Sequence, residues 1–219
     1  MNPDLIIFDL DGVLVESERI AIRIDSEMLT EAGFPMTPAE VTEAFLGLSD
    51  ESMMADIQQR FGRPVPVELK QQMRDALLAA YPEELEATKG AAQLLTAIPG
   101  PRCVASSSDP DKIAYSLGLT GLERWFDAET MFSATMVERG KPAPDLFLHA
   151  ASTMGHRPDR CLVIEDSPHG VSAAVAAGMP VIGYVGGDHA GPTLARRLNE
   201  AGADLVLDHH DAVAEAIGL

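Results

Sequence analysis

The chain reads as an α/β protein: a parallel sheet flanked by helices, with a small all-helical segment inserted after the first strand. Short apolar runs alternate with helix-length stretches over most of the 219 residues, the pattern of βαβ units. Residues 17–86 break that alternation, with no convincing strand and at least three helical patterns. Each apolar run also ends abruptly in polar residues, as strands do when their carboxyl ends carry a site.

The first element is the run Leu5-Ile6-Ile7-Phe8, continuous rather than alternating, which predicts a strand buried on both faces. Further strands are expected at 103–105, 161–164 and 180–184, with a weaker one at 203–207. Helical patterns lie between them at 90–98, 109–117, 144–154, 168–177 and 192–201. Within the insert they fall at 18–32, at 38–45 with 50–60 following, and at 66–80. This divides the chain into a core of residues 1–16 and 87–219 and an inserted unit of 17–86, with Gly12 and Gly90 as candidate hinges. Cys103 and Cys161 begin apolar runs and read as inert thiols in buried strands.

Asp9 and Asp11 follow the first run as Asp9-Leu10-Asp11-Gly12. Two acids one residue apart at a strand end can share a hard cation or divide acid–base and nucleophilic work. An acidic turn is the plainer reading, since Asp and Gly are ordinary turn residues. A calcium loop fails on spacing, because Val13 and Leu14 stand where a ligand and a glycine are needed. The later strands add Ser106-Ser107-Ser108 and Glu165-Asp166-Ser167, and Lys141 lies between them in Gly140-Lys141-Pro142-Ala143-Pro144-Asp145. Singly each is ordinary, a helix N-cap or a solvated lysine. Together they all fall on one edge of a parallel sheet.

Charge narrows the partners. With 34 acidic and 16 basic residues the formal net charge is −18, which repels nucleic acid and anionic lipid. The apolar runs are too short for a membrane span, and the first residues lack a basic leader, so a cytoplasmic protein is expected. A phosphorylated metabolite would need local relief from this field, by a divalent cation, a lysine or helix N-termini.

The full set of motifs resembles the haloacid dehalogenase-like phosphohydrolases over nearly the whole chain. Asp9 to Ser17 is similar to their first motif, Ser106 to the second, Lys141 to the third, and Glu165-Asp166-Ser167 with Gly170 to the fourth. The resemblance implies a Rossmann-like core with a helical cap, and a phosphatase acting on a small phosphorylated metabolite such as a sugar phosphate. It implies Asp9 as nucleophile forming an aspartyl-phosphate and Asp11 as general acid and base, with Ser106 and Lys141 on the phosphoryl oxygens. Backbone N–H groups around Ser107 would assist. Mg2+ would be held by Asp9 and Asp166, by the backbone carbonyl of Asp11 and by Glu165. Gly47 and Ser49, in the cap loop 46–50, are candidate substrate contacts. A monomer or weak dimer is expected.

Three departures weigh against a sugar phosphomutase, the alternative activity in this group. Where those relatives place basic residues, this sequence has Asp50, Ala21 and Asp109, which removes the obvious cap group for a second phosphate. Asp11 argues against dehalogenation, and neither Lys70 nor Lys89 has the context of a Schiff-base lysine. A catalytically inactive phosphate-binding module is the non-enzyme alternative, opposed by the intact acids and lysine. His169 reads as a helix-start residue, 208–211 (Asp-His-His-Asp) as a solvated turn, and Met53, Met54 and Met73 as packing residues.

Overall fold

In the computed structural model, residues 2–46, 48 and 50–219 are described. Among these residues the sheet has six strands: β1 (Leu5–Phe8), β2 (Arg102–Ser106), β3 (Met131–Ser133), β4 (Cys161–Glu165), β5 (Val181–Tyr184) and β6 (Leu205–Leu207). All neighbours are parallel, in the order β3-β2-β1-β4-β5-β6. From β1 the chain builds outward through β2 and β3. It then crosses to the other side of β1 and builds outward again through β4, β5 and β6. The order therefore reverses at the β1/β4 boundary, where open α/β sheets leave a crevice beyond their carboxyl ends.

The continuous apolar run of β1 follows from burial on both faces. Ile6 and Phe8 point into a cluster with α5 (Ala91–Ala97), α6 (Pro110–Thr120) and α10 (His210–Ile217), through Leu94, Ile113 and Val213. Leu5 and Ile7 point the opposite way, against α7 (Asp145–Thr153), α8 (Pro168–Ala176) and α9 (Leu194–Ala201), through Phe147, Val171 and Leu198. Each such side chain contributes about 1.5–3 kcal/mol when fully buried. A single polar substitution in β1 would therefore damage one of two packed layers.

Four helices separate β1 from α5: α1 (Glu18–Glu31), α2 (Pro38–Phe45), α3 (Asp50–Phe61) and α4 (Leu69–Glu84). They enclose their own apolar cluster, with Leu29, Phe34, Phe45, Met53, Ile57 and Met73 buried. The start of α2 is fixed by a reciprocal cap. Thr37 Oγ1 accepts from Glu40 N at 3.3 Å, Glu40 Oε2 accepts from Thr37 N at 2.7 Å, and Pro38 follows. The chain leaves and re-enters the α/β layers through one narrow ribbon: Val15 bridges Ala87, and Glu16 N donates to Glu86 O at 2.9 Å. Among the described residues no helix is long and apolar enough to cross a membrane.

Three elements differ from the sequence expectation. β3 is a three-residue edge strand with no apolar run of its own to announce it. The weak strand expected at 203–207 shortens to β6. The segment 208–211 is not a solvated turn throughout. His209 is exposed and caps α10 by accepting from Ala212 N at 2.8 Å, but His210 is buried. The His210 ring stacks on Tyr184 at 4.4 Å, with Nε2 2.9 Å from the carbonyl of Val13. Burial drives its pKa down to about 4, so it braces the loop after β1 as a neutral ring.

The sheet order also settles the cysteines. Cys103 pairs with Ile7 from one side of β1 and Cys161 pairs with Leu5 from the other, and both thiols are free. Two strand spacings separate them by roughly 9–10 Å, beyond the reach of about 7 Å that a disulfide tolerates. Burial raises both thiol pKa values. Under non-reducing conditions a thiol reagent should titrate two groups in the denatured protein and react slowly with the native one. A missing pair in the denatured sample would contradict this strand order.

Candidate active site

The first two motifs are brought together by the connections at the carboxyl ends of β1 and β2. After β1 the chain makes a tight buried turn, in which Gly12 N donates to Val15 O at 2.8 Å and Val15 N to Leu10 O at 3.1 Å. Gly12 has φ +77°, and a β-carbon there would lie 1.9 Å from Asp166 Oδ2, so the position demands glycine on two counts. The turn aims Asp9 and Asp11 at the crevice, with Asp9 N anchored to Ile164 O of β4 at 2.9 Å.

Asp9, Lys141 and Glu165 form a buried chain of charge. Lys141 Nζ lies 2.6 Å from Asp9 Oδ1 and 3.3 Å from Glu165 Oε2. The Lys141 loop is braced from outside by Arg139, which grips Asp145 at the start of α7 at 2.9 and 3.1 Å. Glu165 is held in turn by Ser167, whose hydroxyl donates to Oε1 at 2.7 Å and accepts from Gly170 N at 3.0 Å as the N-cap of α8. A β-carbon at Gly170 would lie 2.0 Å from the Glu165 carboxyl carbon, which accounts for the glycine in that motif.

Oxygen atoms of Asp9, Glu165 and Asp166 all lie within 4.8 Å of one another. Burial pushes Asp9 well above the usual carboxylate range, and Glu165 adds to this against the opposing charge of Lys141. Glu165 is raised as well, chiefly by burial and with Asp166 adding to it, against the pull of Lys141. Three carboxylates against the Lys141 ammonium leave a negative charge that protonated His189, beside Asp166, offsets only in part. Asp166 Oδ2 is moreover buried with no aligned hydrogen bond among the described residues, its nearest charged neighbour being His189 Nε2 at 2.9 Å. An all-oxygen donor set with this charge deficit fits a hard divalent ion.

Asp11 stands apart from that cluster. Its Oδ1 accepts from Ser17 Oγ at 2.6 Å, its Oδ2 accepts from Ser108 Oγ at 2.7 Å, and Lys112 Nζ lies 3.2 Å from Oδ1. Burial alone would raise its pKa, but Lys112 and the two hydroxyls outweigh it and bring the carboxyl below the ordinary range. Ser106 is buried and lines the cleft, its hydroxyl 3.5 Å from Asp11 Oδ2, and half-buried Ser107 lies beside it.

The helices of the insert roof the cleft with Ile22, Phe45, Met53, Met54 and Met73. Ala21, Asp50 and Asp109 all face it, as the sequence reading required. Lys70 and Arg74 line it too. Each is already engaged, Lys70 with Glu51 and Arg74 with Asp109. Gly47 and Ser49 lie outside the described residues.

Several charged residues in or beside the cleft, Arg74 among them, escaped the sequence reading. Glu18 and Asp25 on α1 are raised by burial to about 8 and about 7, Glu18 further by Asp166 and Asp25 by Asp50. Lys112 sits one helical turn beyond Asp109. His189, in the loop between β5 and α9, brings a buried Nε2 to 2.9 Å from Asp166 Oδ2, although the approach is not aligned as a hydrogen bond. Burial opposes its protonation, but Asp166, Glu18 and Glu16 outweigh this and push its pKa up to about 9. The only local signal for His189 was Gly186-Gly187. A β-carbon at Gly187 would crowd the His189 ring at 2.8 Å. His169 is half-buried at the start of α8 and does not line the cleft.

Comparison with known proteins identifies the family. Residues 6–184 match the model of the haloacid dehalogenase-like hydrolase family. The 6-phosphogluconate phosphatase of Escherichia coli K12 is 32% identical over 190 residues, 86% of each chain. A probable pseudouridine-5'-phosphatase of Drosophila melanogaster is 33% identical over 183 residues, 80% of this chain and 79% of that one. Among solved structures, a haloacid dehalogenase-like protein of unknown function from Agrobacterium tumefaciens superposes with a TM-score of 0.86 at 37% identity, covering 100% of both chains. With the family match running from β1 through β5, and relatives at this identity spanning most of their own length, the chain belongs to the haloacid dehalogenase-like hydrolases.

Proposed function

We propose that the protein is a Mg2+-dependent phosphatase that hydrolyses a small phosphomonoester, of sugar-phosphate type, through an aspartyl-phosphate on Asp9. The observation that carries this reading is the pairing of a buried Lys141 with Asp9 at 2.6 Å beside a second acid, Asp11, held by separate donors. Phosphate monoesters are among the slowest of all biological bonds to hydrolyse unaided, so positioning and charge neutralisation are the main requirements. The relatives support the substrate class, since one is named a 6-phosphogluconate phosphatase and the other a probable pseudouridine-5'-phosphatase.

In this reading Asp11, ionised before substrate enters, takes up a proton with the incoming phosphate ester. A carboxylate oxygen of Asp9 then bonds to phosphorus as the ester P–O bond breaks, and Asp11 passes that proton to the departing alkoxide. Asp11 then takes a proton from the water that cleaves the aspartyl-phosphate, restoring both carboxyls. Lys141 stays charged because the attraction of Asp9 and Glu165 exceeds the cost of its burial. It orients the nucleophile and steadies the phosphoryl oxygens, with Ser106 and backbone N–H groups near Ser107 on the opposite side. Mg2+ would be held by Asp9, Asp166, the Asp11 carbonyl and Glu165, and would supply positive charge for the phosphoryl oxygens. Residues 17–86 act as a cap that excludes water and selects the leaving group, moving on the ribbon at Val15 and Ala87.

Asp9→Asn should leave the fold intact and reduce turnover to below about 1% of the parent, because an amide is not a competent nucleophile. Asp11→Asn should slow turnover by about 10²–10⁴-fold with Mg2+ affinity nearly unchanged, while Asp166→Ala should weaken Mg2+ binding itself. Turnover and calorimetric metal titration of the three variants check this, and equal loss of metal affinity in the last two would refute the division of roles.

Metal binding should tighten as pH rises. Asp9 and Glu165 have raised pKa values without the ion and must lose their protons to bind it, so acidification competes with loading. Calorimetry at mildly acidic and mildly alkaline pH should find weaker binding and greater proton release on the acidic side.

The enzyme should act as a phosphatase with no appreciable mutase activity. All four described cations of the cleft wall (Lys70, Arg74, Lys112 and Lys141) already face a carboxylate, leaving none free for a second phosphate. Incubation with β-glucose 1-phosphate and a trace of glucose 1,6-bisphosphate should yield inorganic phosphate or no reaction. Accumulation of glucose 6-phosphate without phosphate release would overturn this.

A further inference from the structure

We infer that Lys112 is a positioning residue for proton transfer to the leaving group, acting through Asp11 rather than on the phosphate. The inference rests on the roles proposed above for Asp9 and Asp11. Lys112 Nζ lies 3.2 Å from Asp11 Oδ1 and donates to Ser108 Oγ at 3.0 Å, while Ser108 Oγ donates to Asp11 Oδ2 at 2.7 Å. Lysine, serine and aspartate thus close a triangle in which both carboxylate oxygens are held. The lysine and carboxylate side chains are only 18% and 13% exposed, so water competes weakly for either.

The origin of each donor gives the triangle its significance. Ser17, the remaining close donor to Asp11, stands at the N-terminus of α1, on the inserted side of the ribbon. Its grip depends on where the cap sits. Lys112 and Ser108 belong to the α/β layers. Ile113, the next residue after Lys112, and Leu117, one turn further, are fully buried against the sheet, which fixes the helix carrying the ammonium. The core-side pair therefore keeps the carboxyl aimed whether the cap is open or closed. A general acid must lie within about 2.6–3.2 Å of the oxygen it serves, and an aspartate with two free side-chain torsions does not hold that position unaided. The phosphate has its own buried cation in Lys141, which pairs with Asp9 rather than Asp11.

Leaving-group dependence tests this, because it isolates proton donation from phosphate binding. The purified, Mg2+-loaded enzyme is assayed for kcat/KM, which reports the first phosphoryl transfer, on phenyl phosphate and 4-nitrophenyl phosphate. Phenolate is about as basic as a tyrosine side chain, pKa near 10, and needs a proton to leave, whereas 4-nitrophenolate is a much weaker base and departs without one. In Lys112→Met the ratio of kcat/KM for 4-nitrophenyl over phenyl phosphate should rise by about tenfold or more, and Lys112→Arg should restore it in part. Asp11→Asn should raise the ratio in the same direction. A parallel loss on both substrates, or no loss on either, would overturn the inference. The first would make Lys112 a phosphate ligand or a structural residue. Should Lys112→Met fail to fold by circular dichroism, Lys112→Gln carries the same comparison. If Asp11→Asn leaves the ratio unchanged, the assignment of Asp11 fails instead, and the two failures are distinguishable.

Discussion

The buried ammonium of Lys141 between Asp9 and Glu165 is the interaction on which the rest of the site depends. Burying one carboxylate costs several kcal/mol without a partner, and this sheet edge buries three within 4.8 Å of one another. Lys141, with His189 beside Asp166, offsets that charge in part and leaves a deficit that a cation can fill. The surrounding architecture serves this balance. Ser167 and Gly170 seat Glu165, Arg139 and Asp145 brace the lysine loop, and Gly12 opens room for Asp166. Even the reversal of strand order contributes, since it leaves the crevice in which β1 and β4 present their acids side by side.

The two acids of the first motif are separated by environment more than by distance in sequence. Asp9 points toward like charges and is raised, while Asp11 points toward hydroxyls and Lys112 and is lowered. The roles proposed for them, a nucleophile freed by a cation and an acid–base group with its own donor set, are therefore compatible one residue apart. The −18 net charge of the chain fits this view. The protein does not attract its substrate by overall field, so local cations carry that task.

Legibility in the sequence followed the range of the interactions. β1 and the strand-end motifs were readable because a continuous apolar run that stops at acids and a glycine fits little besides a buried strand ending at a site. The helices of the insert were readable from their period. β3 was not, because three residues at a sheet edge make no pattern. His210 was misread, since its partners, Val13 and Tyr184, are remote in sequence. Lys112 and His189 were missed for the same reason. Each acquires its meaning from a carboxylate delivered by another strand, and neither belongs to a motif with local spacing. Asp109 was placed in the cleft, yet the lysine one turn later was the residue in contact with Asp11.

The narrow ribbon that joins the two parts of the chain has a consequence for how such a protein can change. Because residues 15 and 87 lie side by side, the seventy or so residues between them form a loop whose ends already meet. Doubling the length of such a loop costs only about 0.6 kcal/mol in closure entropy. The sheet does not register how long the excursion is, or what it contains. A lineage, or an engineer, can exchange the part that roofs the cleft while the acids, the lysine and their geometry stay untouched. Novelty in substrate choice is then separable from the chemistry, and the two can be altered one at a time.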